Sequence, residues 1–258
     1  MMLVQLPNGL LDGADLFNIA EIDELRGKQQ NYLANKDLVL GNIGHIPRIL
    51  EDLIKSLQTK QGLTWKGNIQ EGIYKLPSGD LETILVKIRE NTYGAKFYHQ
   101  AQCPFCEHIN KDLRLDLDKL ELDVMPVTEM IDSKPRTFVL PKCKKEVELK
   151  PLYMKDLFDS IKITTTKHDE LVTGAMSLFI KRIDQNNKIS SKDIDDMPSS
   201  DISYLNSVVD EKNLKLEGTI DINIINECGK CKKEFNSRLN PFDPSFFSPT
   251  RGSKSTNT

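Results

Sequence analysis

The sequence predicts an α+β fold, in which an N-terminal helical part leads into a β part that carries a helical insertion. Three observations predict it. Apolar residues recur at helical spacing in the first third of the chain, up to Gly94. The period then drops to two, with Leu113, Leu115 and Leu117 alternating with charged residues, and it does so again over 214–227. Finally, two CxxC pairs, CPFC at 103–106 and CGKC at 228–231, each stand beside strand-like sequence.

The first helix is expected over 21–34 (EIDELRGKQQNYLA), with Ile22, Leu25 and Leu33 as sparse apolar anchors. A second is expected over 46–59, where Ile49, Leu50, Leu53, Ile54 and Leu57 share one face and Pro47 suits a first turn. A third, over 78–94, opens with Asp80 as N-cap, carries Leu81, Ile84, Leu85 and Ile88 on one face, and stops at Gly94. Each stripe reads as a core-facing surface. These elements define a helical region at 1–94.

Residues 95–240 form the β part. RTFVLPKCKKEVELKPL (136–152) reads as two short strands around a turn. Helices are expected at 152–162, 167–184 and 200–211, giving a helical insertion at about 152–212. The Ser- and Asp-rich link before the last of them, holding Asp195 and Asp196, reads as a solvated loop. Residues 214–227 form a strand that presents Leu214, Leu216, Ile220, Ile222 and Ile224 on one face. A flexible tail is expected at 241–258. Its Phe242, Phe246 and Phe247 are either part of a frayed end or anchors for a neighbouring subunit.

A CxxC at a tight turn can place two sulfurs on one tetrahedral ion at about 2.3 Å, and a second such turn completes the shell. The predicted site is a structural zinc held by Cys103, Cys106, Cys228 and Cys231, which makes the β part zinc-ribbon-like. It would clip together the ends of the 107–227 segment, whose length adds little because closure entropy grows only logarithmically. Structural zinc supplies on the order of 10 kcal/mol of apparent folding free energy. Cys143, in PKCKKE, stands alone, as a spare thiol or a replacement ligand, and His108 is a second possible replacement. Redox chemistry fits less well, because a redox CxxC sits at a helix N-terminus and strand-like sequence follows CPFC.

Composition narrows the function. The 258 residues can bury a real core, as one large or two modest domains. The formal charge of −3 offers no global basic excess for nucleic acid or an anionic membrane. Aromatic residues make up 7% and do not interleave with the basic groups near the cysteines as a stacking platform would. No apolar run is long enough to span a bilayer, and no export signal is visible, so a soluble intracellular chain is expected. Four thiolates leave no open coordination position, and no HExxH, GxSxG, Walker A or GxGxxG pattern occurs. No catalytic set or small-molecule substrate site is predicted.

The order of motifs resembles the T4-type phage baseplate hub and tail assembly proteins. The resemblance rests on EIDELRGKQQNYLAN, on LPSGDLETILVKIRENTYGAKFYHQAQCPFC and on LDLDKLE, which match an ELxGK helix, an LPxGD helix start, an RxxTYG helix end and a CPxC knuckle. It runs over about residues 20–123, with a second knuckle at CGKC; 152–212 and the tail after 240 carry no family pattern. The resemblance implies a structural or assembly role in the hub of a contractile tail, other hub and tail proteins as partners, and no enzymatic activity. It implies a late protein located in the virion and assembled in the host cytoplasm. An assembly chaperone missing from the finished particle and a nucleic-acid-binding zinc ribbon are the alternatives.

Overall fold

In the computed structural model, which describes residues 1–34, 46–126, 136–158, 176–210 and 217–248, the chain opens as a β-hairpin rather than a helix. Strands β1 (Met2–Asp12) and β2 (Asp15–Ile22) pair antiparallel from Met2↔Ile22 to Asp12↔Asp15. Gly13-Ala14 makes the two-residue turn between the paired Asp12 and Asp15, with Gly13 at φ +61°, a region glycine enters without steric cost. Gly13, between two apolar runs, was the available sequence signal. Helix α1 therefore spans only Gly27–Ala34, because residues 21 and 22 still belong to β2.

The helix expected over 46–59 is half right. Helix α2 covers Ile46–Leu53, and the chain passes directly into strand β3 (Ile54–Gln58), third in the order β1-β2-β3. Ile22 pairs with Ile54 but Glu21 pairs with Ser56, so Lys55 is an extra residue. This irregularity lets Ile54 and Leu57, three residues apart, both be buried. A strand thereby acquires spacing that reads as helical.

After the short α3 (Ile69–Tyr74), helix α4 runs from Ser78 to Tyr93, as predicted, and ends at Gly94 with φ +83°. It is the centre of the main core, with Leu81, Ile84, Leu85, Val86 and Ile88 all buried. Asp80 is not its N-cap; Pro77 holds that position and makes no side-chain cap. Asp80 instead lies in the first turn, fully buried. Its carboxylate accepts the N–H groups of Asn8 at 2.8 Å and Gly9 at 2.9 Å, where β1 departs from regular pairing. The Asn8 side chain in turn pairs with the Gly218 backbone, donating to its carbonyl at 2.9 Å and accepting its N–H at 2.6 Å. Glu217 accepts from Ser78 Oγ at 2.7 Å and from Gly79 N–H at 3.2 Å. A Cβ on Gly79 would stand 2.1 Å from the Gly218 carbonyl oxygen, so the SGD of LPSGD is fixed by a three-way junction. Burial pushes the Asp80 carboxyl up to about 7, against the pull of the Asn8 and Gly9 N–H groups.

Two antiparallel pairs follow the helix: β4 (Lys96–Gln102) with β5 (Ile109–Asp116), and the short β6 (Leu122–Asp123) with β10 (Thr219–Ile220). Between β6 and β10 lies a lobe with its own core of Leu140, Val147, Leu149, Met176, Ile180, Ile183, Ile194, Met197, Leu205 and Val208. It is not purely helical. Strands β7 (Thr137–Val139), β8 (Glu146–Leu149) and β9 (Ile180–Ile183) form one antiparallel sheet, against which α5 (Ser191–Asp195) and α6 (Ser199–Asp210) contribute buried residues. The helix expected over 167–184 thus gives way at Ile180, because IKRI pairs with β8 and buries both isoleucines. Residues 154–158 are helical as expected, while 159–175 lie outside the described residues. The presumed Ser-rich loop contains α5, started by a reciprocal Ser190–Asp193 capping box. Asp195 and Asp196 are exposed, as expected.

The last hairpin joins β11 (Asn223–Glu227) to β12 (Glu234–Arg238); residues 214–216 of the long predicted strand lie outside the described set. The chain then returns to the main core. Phe246 and Phe247, in a 3₁₀ turn, are buried, and the Phe246 ring centroid lies 5.1 Å from that of Phe97. These two rings serve this chain's own core, which removes them as anchors for a neighbour; residues 249–258 lie outside the described residues. The architecture is mixed α/β. Its N-terminal third is a sheet backed by α4, where the sequence predicted helices alone.

Candidate metal centre

Hairpins β4–β5 and β11–β12 have the same tip. In the first, Cys103 N–H donates to the His108 carbonyl and Glu107 N–H to the Cys103 carbonyl, both at 2.9 Å. In the second, Cys228 N–H donates to Lys233 and Lys232 N–H to Cys228, again at 2.9 Å. The residue after each second cysteine takes a left-handed backbone, Glu107 at φ 57° and Lys232 at φ 61°. This turn folds the chain so tightly that both sulfurs of a CxxC face one point.

The two tips meet. Sγ of Cys103 lies 3.7 Å from Sγ of Cys231, and Sγ of Cys106 lies 3.6 Å from Sγ of Cys228. All four sulfurs lie within 4.8 Å of one another. A tetrahedral shell with metal–sulfur bonds of about 2.3 Å has sulfur–sulfur edges of about 3.8 Å, so the cluster has the dimensions of a four-thiolate site. All five cysteines of the chain are free thiols. Among the described residues no other His, Cys, Asp or Glu group could hold a metal ion in this way.

The surroundings favour a cation. The N–H groups of Cys231 and Lys230 bond to Cys228 and draw its thiol down to about 6. The His108 backbone favours the Cys106 thiolate, yet burial and three neighbouring thiols push Cys106 up to about 11. Four sulfurs in contact cannot all ionise while they face only one another; a divalent ion at the centre removes that conflict. Cys103 and Cys228 are fully buried and pack with Phe235.

Sequence reasoning missed Asn110. It is buried, accepts the Gly229 N–H at 2.8 Å, and donates to the Ala101 and His108 carbonyls at 3.3 Å each. One side chain thereby ties the two tips together independently of any ion. Of the two replacement ligands considered, the exposed His108 contributes its backbone and not its ring to the site, and Cys143 packs against the inserted lobe. Lys233 lies over the Phe105 ring at 4.9 Å and Lys232 faces Glu227 at 3.5 Å, so these basic groups have partners within the ribbon. No helix among the described residues is long and apolar enough to cross a membrane.

No curated protein and no solved structure matches the chain significantly. The sequence model of one family, described as T4 bacteriophage base plate protein, matches residues 27–247. That span runs from α1 to the Phe246–Phe247 turn and takes in α4, all four clustered cysteines and the inserted lobe, but not the β1 residues of the junction. The chain belongs to the T4 bacteriophage base plate protein family.

Proposed function

We propose that this chain is a structural or assembly component of the baseplate hub of a contractile phage tail, held together by one Cys₄ zinc ion and without catalytic activity. Family membership carries the tail assignment, and it implies assembly with other baseplate proteins in the virion. The sulfur–sulfur edges of 3.6 and 3.7 Å carry the zinc assignment. Four thiolates select soft or borderline ions of tetrahedral preference, and zinc adds no redox reactivity. A filled shell leaves no open position for substrate. Cys103, Cys106, Cys228 and Cys231 would hold the ion, and its role would be mechanical.

The zinc clip fixes β11–β12 on β4–β5, across 122 to 128 residues of chain. Just beyond β12, Leu239, Phe246 and Phe247 enter the main core. The clip would therefore anchor the C-terminal segment as well as the ribbon, presenting rigid surfaces to neighbouring tail proteins. Quantitative mass spectrometry of purified intact tails tests the assignment. Presence in fixed ratio to other tail proteins is the expected result. Reproducible absence from tails, with abundance in infected cells, would move the reading to an assembly chaperone.

A further inference from the structure

The inserted lobe contains a third hairpin tip with the geometry of the two cysteine tips. Leu140 N–H donates to the Lys145 carbonyl at 2.9 Å, and Lys144 N–H to the Leu140 carbonyl at 3.1 Å. Lys144, the residue after Cys143, has φ 59°, beside 57° and 61° in the other two. Strand β7 ends one residue before Leu140 and β8 begins one residue after Lys145, the same offsets as around 103–108 and 228–233. LPKCKK therefore superposes in sequence on CPFCEH and CGKCKK, with a buried leucine in the first cysteine's place.

A leucine cannot do what that cysteine does. In the tip at 228–233 the first sulfur accepts the N–H groups two and three residues on, those of Lys230 and Cys231. The corresponding groups in the third tip belong to Lys142 and Cys143. Both donate to the carboxylate of Asp201, at 2.8 and 2.9 Å. Asp201 comes from the first turn of α6, is fully buried, and also takes a bond from the Cys143 thiol.

We propose that residues 140–145 form a metal-free knuckle in which Asp201 supplies the acceptors that the Cys228 sulfur supplies in the tip at 228–233. The lobe then folds without metal, and its tip is locked to α6 by a carboxylate. Cys143 keeps the position of a ligand but serves as a hydrogen-bond donor. The contrast with the outer pair rests on the zinc reading above; the role of Asp201 does not.

Hydrogen exchange on the full-length chain, with and without a strong zinc chelator, tests the proposal together with metal content. One zinc per chain is expected. Chelation should speed exchange at Lys230 and Cys231 by at least about tenfold, the worth of one hydrogen bond, and leave Lys142 and Cys143 unchanged. Two zinc ions per chain, or equal loss of protection in all three tips on chelation, overturns the proposal. Absence of any bound metal would sink the zinc reading alone and leave Asp201 to the second arm. There, Asp201→Ala should speed exchange at Lys142 and Cys143 about tenfold while metal content stays at the unsubstituted chain's value. Should that variant not fold, Asp201→Asn keeps the shape and one carbonyl acceptor, and protection should fall at one of the two amides. Protection unchanged at both amides in either folded variant refutes the role. Cys143→Ser should retain the full zinc content; its loss would make Cys143 a ligand and overturn the assignment.

Discussion

The outer knuckles and the middle one share a backbone and differ in what satisfies it. At 103–108 and 228–233 the turn wraps around sulfurs that converge on one point, 3.6 and 3.7 Å apart across the two tips. At 140–145 the same turn wraps around nothing of the kind; the Asp201 carboxylate reaches in from α6 and takes the exposed N–H groups at 2.8 and 2.9 Å. The comparison teaches that the knuckle is first a backbone motif with two N–H groups in need of an acceptor. A buried carboxylate is one solution; on the zinc reading, a thiolate on a metal is the other, and only that one depends on an ion from solution.

The largest break in this comparison is expected from removing the proposed zinc. Chelation, or Cys228→Ser, should release β11–β12 and with it Leu239, Phe246 and Phe247, at a cost on the order of 10 kcal/mol in metal-linked stability. Circular dichroism with a zinc titration should show a metal-dependent transition, and the described parts of the lobe, 137–158 and 176–208, should keep their exchange protection.

Next in size is the plug beneath the ribbon. Phe246→Ala removes a buried ring packed on Phe97 and should cost about 3–5 kcal/mol. Denaturant melts should show that loss with zinc stoichiometry unchanged, which separates packing from metal binding. Gly79→Ala belongs in the same range, about 2–4 kcal/mol, though alanine normally stabilises a helix. Its Cβ would collide with the Gly218 carbonyl at 2.1 Å. A stabilising result would disprove the junction.

Two buried aspartates sharpen the contrast through pH. Burial raises Asp80 to about 7 from an ordinary 3.8, so its contribution to stability is full below about pH 4 and is lost as pH rises through 7. Burial also opposes ionisation of Asp201, but the Cys143 and Lys142 N–H groups prevail and hold it below its ordinary value. Its contribution is present above that value and is lost as pH falls below it. Metal-saturated protein should therefore lose up to a few kcal/mol between pH 5 and 8, and Asp80→Asn should flatten that slope. Asp201→Asn should leave the slope unchanged.

The smallest effect is expected at the lobe surface. Lys181 pairs with Glu148 at 2.6 Å but is 62% exposed, so Lys181→Ala should cost less than about 1 kcal/mol, read from the shift in denaturant midpoint.

The four cysteines were legible because spacing alone constrains a CxxC turn, and α4 was legible because sixteen residues of helical pattern face one core. The β1–β2 hairpin was legible too, in the Gly13-Ala14 turn, but only to a reading that weighed turn chemistry over a sparse apolar pattern. Strand β3 was hidden by the extra residue Lys55, which gives Ile54 and Leu57 a helix-like spacing. Strand β9 was hidden because four residues, IKRI, continue an apolar run and take their state from β8. The tip at 140–145 is written in LPKCKK beside CGKCKK. What sequence could not supply is Asp201, which lies 58 residues beyond Cys143 and is brought there by the fold.

The most direct test of the central claim is zinc X-ray absorption on the purified full-length chain, with metal content measured on the same sample. One zinc per chain, with four sulfur neighbours at about 2.3 Å, is the predicted result. No stoichiometric zinc, or a shell in which nitrogen or oxygen replaces sulfur, would contradict the clip that joins Cys103 and Cys106 to Cys228 and Cys231.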